Sequence, residues 1–334
     1  MKKFSYICIA ALIFFLCFKY AESYSLQRFA LAPSVVYLKD GDGIFIYDPI
    51  KRISKSIYHC SDPDEAFFPE ELVVHNDQVI FHTYKVAEKP DKINQNSTRE
   101  FWMVTLTAGA PSLYSVLQVM SPEDGSASIS IRENFQQKNM YSVFETFPKD
   151  FDLMPSPRED TFGNPQLQCL YKQLNDRCVF VGPAERGISD KVIYLWDFKN
   201  KSMKRVLDFP QKRMSLADGG GGFLFAYLLT QDEAVFLEVP EQTIPVSMIG
   251  LNQFRESVFK KVNLTTKEVV ALLKFEGVPS YPKISADEKF VVFTMLKDNG
   301  ADTKERQGEI WIKEIATGKK IKITTAGHSP VWVR

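Results

Sequence analysis

The sequence predicts an all-β fold, and three observations carry the prediction. Short runs rich in Val, Ile, Phe and Tyr recur along the chain and are bounded by Asn, Asp, Gly and Pro. No long stretch keeps the 3.6-residue apolar period of an amphipathic helix. Aromatic residues make up 13% of the 334 residues and include 26 Phe and 13 Tyr, a content typical of sheets that stack face to face.

The most regular set of predicted strands lies at the carboxy-terminal end. It combines a short inner strand closed by a Ser-x-Asp turn (279–287), an apolar strand ending in Phe-Thr (290–294), and Glu-Ile-Trp-Ile before a Thr-Gly turn (309–318). These residues resemble one blade of a TolB-type, WD40-like β-propeller. Because a propeller blade cannot bury both of its faces alone, the resemblance implies several more blades.

Imperfect copies of this blade occur earlier in the chain. In order, the predicted strands lie at 34–38, 44–48 and 55–59, at 72–83 and 100–106, at 126–131 and 140–145, at 170–181 and 192–197, and at 214–227, 257–264 and 268–275. Trp102, Trp196 and Trp311 are expected at equivalent third-strand positions, where they pack between adjacent blades. The spacing of the turns predicts a single domain over 24–334 with about six four-stranded blades.

The chain ends with the start of a further blade. Ser329–Arg334 matches an inner strand and then stops, whereas the first unit, at 34–59, lacks an inner strand. Pairing of the two would close the ring and remove the exposed edges of an open array. We therefore expect Pro330 and Trp332 to belong to a ring-closing strand.

The amino-terminal residues have the order of a secretory signal peptide. Lys2 and Lys3 precede an apolar run from Ile7 to Phe18, and small residues flank the centre of Ala21-Glu22-Ser23. This order predicts 1–23 as a signal, cleaved near Ser23, and a periplasmic or secreted protein. The apolar run of about a dozen residues is shorter than the roughly 20 that span a bilayer, and an uncleaved anchor is the alternative.

The charge balance argues against nucleic acid as a partner. Lys plus Arg and Asp plus Glu each number 41, so the chain has no overall field that favours nucleic acid or anionic lipid.

Cleavage near Ser23 would leave three cysteines. Around a proposed turn at 175–176, Cys178 stands opposite Gln173 and Cys169 lies several residues further along its strand. That offset exceeds the roughly 4.4–6.8 Å that a disulfide tolerates between α-carbons. We expect Cys60, Cys169 and Cys178 to be small buried apolar residues.

No catalytic, cofactor-binding or metal-binding residues are predicted. Some TolB-type propellers are fused to serine peptidases with a Gly-x-Ser-x-Gly nucleophile, and the motif does not occur here. The histidines are too scattered for a His-x-x-x-His or Cys-x-x-Cys metal site; they are His59, His75, His82 and His328. Asp40–Gly43 fits a hairpin turn better than a calcium loop.

One segment departs from the blade pattern. The stretch from Thr230 to Glu256 has few charges and contains Met248, Ile249, Leu251 and Phe254. A long, partly apolar excursion is typical of a partner-binding loop. An irregular hairpin packed on the side of the propeller is the alternative.

The functional hypothesis is a monomeric, non-catalytic binding module that recognises a protein or peptide at one mouth of the ring. The alternative is an enzyme that acts on a carbohydrate or lactone with carboxylates in the central funnel. A third hypothesis is a structural role at the membrane surface, with 7–18 as the anchor. Similarity of fold does not choose among them.

Overall fold

The computed structural model describes residues 29–39, 43–59, 66–67, 72–75, 78–85, 97–107, 112–120, 128–132, 177–182, 192–197, 200, 202–209, 222–240, 256–296 and 308–333. Within these ranges the regular structure is almost entirely β-strand, which confirms the predicted class. No helix in the described ranges is long and apolar enough to cross a membrane.

The strands are numbered in chain order. They are β1 (Val35–Lys39), β2 (Gly43–Asp48), β3 (Ile53–Tyr58), β4 (Ala66–Phe67), β5 (Val73–His75), β6 (Gln78–Lys85), β7 (Ser97–Thr105), β8 (Ser112–Met120), β9 (Ser128–Arg132), β10 (Arg177–Gly182), β11 (Val192–Asp197), β12 (Ser202–Asp208), β13 (Gly222–Leu228), β14 (Glu233–Val239), β15 (Glu256–Asn263), β16 (Val269–Glu276), β17 (Ser280–Ile284), β18 (Phe290–Leu296), β19 (Gly308–Glu314) and β20 (Lys320–Trp332).

These strands form antiparallel sheets in which chain neighbours pair. The orders are β13-β14-β15-β16, β10-β11-β12, β4-β6-β7-β8-β9 with β5 also on β6, and β17-β18-β19-β20-β1-β2-β3. The last sheet holds two blades because β20 serves both. Its first part pairs with β19, from Lys313↔Lys320 to Gly308↔Gly327, and its end pairs with β1, from Leu38↔His328 to Val35↔Trp332.

We call β17–β19 with residues 320–327 the last blade, and residues 328–332 with β1–β3 the closing blade. The pairing expected between the carboxy-terminal strand and the first strands is present, and the N–H of Val333 also donates to the carbonyl of Ser34 (2.8 Å). The described strands belong to five blades. Closure of the whole ring and the number six stay predictions, because 133–176 lies outside the described residues.

The first strands of successive blades lie at the centre of the fold. The hydroxyl of Tyr227 in β13 accepts a hydrogen bond from the N–H of Ile284 in β17 (2.8 Å). The indole Nε1–H of Trp332 in β20 donates to the carbonyl of Lys283 in β17 (2.8 Å). The fourth strands lie outside, since the first halves of β3 and β16 are exposed on both faces.

One irregularity recurs in all five described blades. The pairing of the third strand with the outer strand shifts by one residue at the same place, which leaves an extra residue in the outer strand. The third-strand residues at the shift are Phe45, Trp102, Tyr194, Lys260 and Trp311, and the extra residues are Ile57, Tyr114, Val206, Leu272 and Ile323. A bulge of this kind increases local twist, and its recurrence identifies the blades as structural repeats.

The turn after each third strand also recurs. Asp48 Oδ1 accepts hydrogen bonds from the N–H groups of Ile50 and Lys51 (2.9 and 3.1 Å). Asn263 Oδ1 accepts them from Thr265 and Thr266 (2.9 and 2.8 Å). Each turn then needs a residue in the left-handed region, and these are Arg52, Lys267 and, in the last blade, Gly318 (φ 56°, 61° and 69°). The bulge residue stands three positions before the residue that opens the turn.

The core consists of apolar layers between neighbouring blades. Four such layers contain, for example, Val179 with Phe236, Val235 with Phe293, Val35 with Ile310, and Ile44 with Val79. Phe29, which is 1% exposed, completes the layer between the last and closing blades by packing on Phe290 (ring centroids 6.0 Å apart). Blades adjacent in the chain are therefore adjacent in space, and the last blade lies beside the closing blade.

The insertion predicted at 230–256 is shorter than expected. Glu233–Val239 is a regular second strand, β14, and it pairs with β13 across a turn at 229–232. Of the predicted range 214–227, the part from Gly222 onward forms the inner strand β13, and 214–221 lie outside the described residues. The sequence pattern failed because four consecutive residues, Ala234–Leu237, are buried, so that β14 has no polar and apolar alternation.

Three further expectations need correction. The strand predicted at 126–131 is present as β9, but it pairs with β8 (Val119↔Ile129) instead of starting another blade; the partner strand at 140–145 lies outside the described residues. Trp102 and Trp311 are equivalent, but Trp196 stands two residues later, and Tyr194 holds the equivalent position. Cys178 is buried as expected, yet it forms a disulfide. Its partner is one of the other cysteines, all of which lie outside the described residues.

Candidate functional site

The two ends of the propeller differ in the length of their connections. At one end, the turns β13–β14, β17–β18, β2–β3, β15–β16 and β19–β20 are all short, at 229–232, 285–289, 49–52, 264–268 and 315–319. Because the strands are antiparallel, the β6–β7, β10–β11, β14–β15 and β18–β19 connections all leave from the opposite end. They span 86–96, 183–191, 240–255 and 297–307, and two short connections, β1–β2 at 40–42 and β16–β17 at 277–279, lie at the same end. We call the first the turn end and the second the loop end.

The turn end is fixed by local hydrogen bonds. Ser285 Oγ accepts from the N–H of Phe290 (3.0 Å) and donates to Asp287 Oδ1 (2.6 Å). Burial acts to raise the pKa of the Asp287 carboxyl, but the hydrogen bonds from Ser285 and Lys289 outweigh it and hold that pKa below its usual value. This turn was predicted from its Ser-x-Asp sequence.

A half-buried ion cluster joins two blades near the turn end. Lys261 Nζ lies 3.1 Å from Glu233 Oε1 in its own blade and 2.8 Å from Glu288 Oε2 in the next. The hydrogen bond that Lys261 donates to Glu288 is the largest cause that raises the pKa of Lys261, and it outweighs burial, which acts to lower that pKa. The lysine therefore stays charged and holds the two blades in register.

The loop end is framed by side chains at the bases of the connections. Lys260 Nζ pairs with Glu238 Oε1 (2.6 Å), just before the connection at 240–255. Ser257 is fully buried, and its hydroxyl donates to the carbonyl of Gly277 (2.7 Å) between β16 and β17. These contacts give the β14–β15 connection a fixed base, as a binding loop on a rigid scaffold requires.

A third region, on the outer face of the last blade, carries a cluster of lysines around Trp311. Lys320 Nζ and Lys322 Nζ lie 5.0 and 5.2 Å from the centroid of the indole ring. Lys313 stands directly opposite Lys320, and its Nζ donates to the carbonyl of Lys274 (2.9 Å). Burial, and then the charge of Lys320, lowers the pKa of Lys313. Positive charge is therefore concentrated at one aromatic side chain.

Some of the residues predicted for function lie near the centre of the fold, and the others lie outside the described residues. Met248, Ile249, Leu251 and Phe254 lie outside the described residues, within the β14–β15 connection. Pro330 and Trp332 lie in the part of β20 that belongs to the closing blade, and Trp332 is 7% exposed. Their role in closing the ring stays a prediction.

The histidines are dispersed, as the sequence suggested. His328 is buried in β20, with its Nδ1 3.3 Å from Ser329 Oγ, and His59 is exposed after β3. His75 and His82 lie in β5 and β6. The described ranges contain no group of three or more His, Cys, Asp or Glu side chains that could hold a metal ion.

The comparisons with known proteins concern the fold. No known protein family and no curated protein sequence matches the chain. A TolB structure from Agrobacterium tumefaciens is 13% identical with a TM-score of 0.44, and the alignment covers 89% of this chain and 91% of that one. TolB from Acinetobacter baumannii is 13% identical (TM-score 0.29; 88% and 53% covered). Oligogalacturonate lyase in complex with manganese is 11% identical (TM-score 0.33; 88% and 62% covered).

In fold, the chain is an all-β propeller, as the antiparallel blades of the described strands indicate. It spans less than two thirds of the length of the Acinetobacter TolB and of the lyase. The sequence interpretation missed the lysine cluster around Trp311 in this propeller. The signal was available in Lys320 and Lys322, which alternate along the outer strand after the Trp311 strand and so share one face.

Proposed function

We propose that the chain is an exported, non-catalytic TolB-like propeller that binds a protein or peptide partner at its loop end. Export rests on the order of residues in 1–23, which is that of a secretory signal. The binding role rests on the two ends of the fold, and no catalytic residue is assigned.

The observation that supports this function best is the difference between the two ends. The turn end consists of short connections whose polar groups are used within the turns themselves, as in the turns at Asp48 and Asn263. The loop end receives the long connections, and long connections on a rigid scaffold are where binding residues concentrate.

The β14–β15 connection is the strongest candidate for contact with the partner. It starts from a strand whose centre is fully buried, and its base is fixed by the Lys260–Glu238 ion pair. Between these fixed points stand Met248, Ile249, Leu251 and Phe254. Phe and Met are among the side chains enriched at the cores of protein interfaces.

Site-specific photo-crosslinking tests the proposal. A photoreactive phenylalanine analogue is placed at Leu251 or Phe254 at the loop end, and at Thr266 or Thr317 at the turn end as matched controls, in the full chain expressed in its native host. We expect a covalent adduct with a protein from the envelope or the medium at 251 and 254 only. Adducts at the turn-end positions alone, or equally at both ends, would contradict the proposed surface.

A second arm separates binding from catalysis. If crosslinking yields no protein adduct at either end, while a panel of carbohydrates and lactones raises the melting temperature or is turned over, the binding proposal is wrong and the enzyme alternative replaces it.

Amino-terminal sequencing of the mature protein tests export separately: a start near residue 24 supports it, and an intact Met1 with membrane retention would support the anchor.

A further inference from the structure

The outer edge of the last blade is an open strand edge with concentrated positive charge. Residues 320–324 of β20 pair with β19 on one side, and β1 covers the other side only from His328 onward. Within the described part of the chain, this edge therefore presents backbone N–H and C=O groups that no strand uses. Lys320 is exposed, and the side chain of Lys322 is 39% exposed.

The lysines at this edge are only partly balanced by carboxylates. Lys322 pairs with Glu309 (Nζ to Oε1, 2.9 Å), whereas the described contacts of Lys320 are with the indole ring alone and those of Lys313 are with a carbonyl and the ring of Phe275. Like charges directly opposite each other across a sheet, as Lys313 and Lys320 are, destabilise the pairing. Glu309, which pairs with Lys322, and Glu276, whose charge acts on Lys313, thus face three ammonium groups.

Cations at comparable places in the other described blades are neutralised. Arg205, which stands where Lys322 stands in the last blade, lies 2.6 Å from Asp208. Lys260, at the bulge position of its blade, lies 2.6 Å from Glu238. Among the described strand pairs, two lysines stand directly opposite each other in the last blade, at Lys313 and Lys320.

Lysines on an edge strand also have a simpler role, since they prevent edge-to-edge aggregation. That role explains one exposed lysine, as Lys55 provides in β3. It does not explain a second lysine on the same strand or the convergence of Lys320 and Lys322 on one tryptophan. An opposite-charged ligand would relieve the repulsion, and the aromatic ring would contact its aliphatic parts.

We propose that this edge of the last blade binds an extended acidic peptide segment, which adds to β20 as a further strand and places alternate Asp or Glu side chains beside Lys320 and Lys322. The choice of an extended peptide as ligand rests on the spacing of the two lysines. Lys320 and Lys322 are two residues apart in a strand, and side chains two apart in an added strand project on the same face at the same interval. Main-chain hydrogen bonds supply affinity in this mode, and side chains supply specificity.

The site is separate from the loop end, and the two proposals can fail independently. Binding is measured by fluorescence anisotropy of a labelled synthetic peptide in which Glu alternates with Thr, with the full chain. A peptide of the same composition with its Glu residues in one block, and an alternating peptide with N-methylated backbone, serve as ligand controls. We expect tight binding of the alternating peptide and loss of binding on N-methylation.

Charge reversal locates the site. K320E and K322E should each weaken the alternating peptide by about tenfold, because each replaces an attraction by a repulsion. The matched control K204E lies at the outer strand of another blade and should leave affinity unchanged. K320E should melt at the temperature of the parent, whereas K322E loses its ion pair with Glu309, so its affinity is measured well below its own melting temperature.

Three outcomes would overturn the inference. These are an absence of binding at low ionic strength, equal binding of the block and alternating peptides, and an equal loss in K204E and K320E. The last two would indicate attraction to the general surface of the protein, without a site at β20.

Discussion

Replacement of Trp332 by alanine should destabilise the protein more than replacement of Trp311, which lies nearer the outer strands. The indole is 7% exposed and packs with Val35, Phe290 and Ile310 between the last and closing blades. Truncation of a buried Trp to Ala costs about 3–5 kcal/mol through lost transfer free energy and an unfilled cavity. The hydrogen bond that Nε1–H donates to the carbonyl of Lys283 is also lost, and this loss is included in that cost.

The matched variants are W332F and W311A. W332F keeps most of the ring packing and loses only the N–H donor, so we expect about 1–2 kcal/mol. Trp311 is half-buried at the outer strands, and its truncation should cost about 1–2 kcal/mol because less apolar area leaves the core.

Urea-induced unfolding followed by far-ultraviolet circular dichroism measures all three variants, since this signal does not depend on tryptophan. The dependence of unfolding free energy on urea should keep the slope of the parent. A loss below about 1 kcal/mol in W332A, or a loss in W311A as large as in W332A, would refute the argument that the centre of the fold, and not its rim, depends on the closing strand.

The remaining predictions concern the same strands and turns. Removal of 329–334 deletes most of the segment that pairs with β1 and should abolish the single cooperative transition in a thermal melt. A truncated chain that melts like the parent would contradict the proposed closure by this strand. G308A should cost about 2–4 kcal/mol in urea unfolding, because an added Cβ would lie 2.3 Å from Thr294 Cγ2 and 2.9 Å from the carbonyl of Met295. Its control G318A meets no atom closer than 3.9 Å and should cost only the strain of its positive φ, about 1 kcal/mol. The pKa of Asp287 is lowered by folding, so its contribution to stability is present above the usual carboxyl pKa and is lost as pH falls through the folded value. D287N should therefore flatten the acid limb of a stability profile measured by urea unfolding against pH, and an unchanged acid limb would contradict the assignment.

The last blade was predictable because its boundaries depend on local chemistry. The Ser285 and Asp287 side chains bond within their own turn, and Gly318 provides the positive φ that ends the next one. Such bonds join residues a few positions apart and leave a visible pattern in the sequence. The closing strand was predictable for a different reason, since an unpaired half-blade at each end of the chain demands a partner.

The rest depends on pairing between distant residues, which no local pattern records. The four consecutive buried residues of β14 have neighbours on both faces, so the strand has the composition of an irregular apolar loop. The recurrent bulge depends on which residue of the outer strand opposes Lys260 or Trp311. The argument against a disulfide at Cys178 rested on one proposed hairpin, whose turn at 175–176 lies outside the described residues, and Cys178 nevertheless forms a disulfide.

The two parts of β20 have separate physical roles, although one strand contains both. Residues 328–332 are buried between two blades, and residues 320–324 form an exposed edge with net positive charge. A ligand that binds only the folded protein stabilises it by an amount set by its concentration relative to Kd. The acidic peptide should therefore raise the unfolding midpoints of the parent and of W332A by the same increment. Unequal increments would mean that the edge and the closing strand are energetically coupled, because additivity holds only for sites that share no partners.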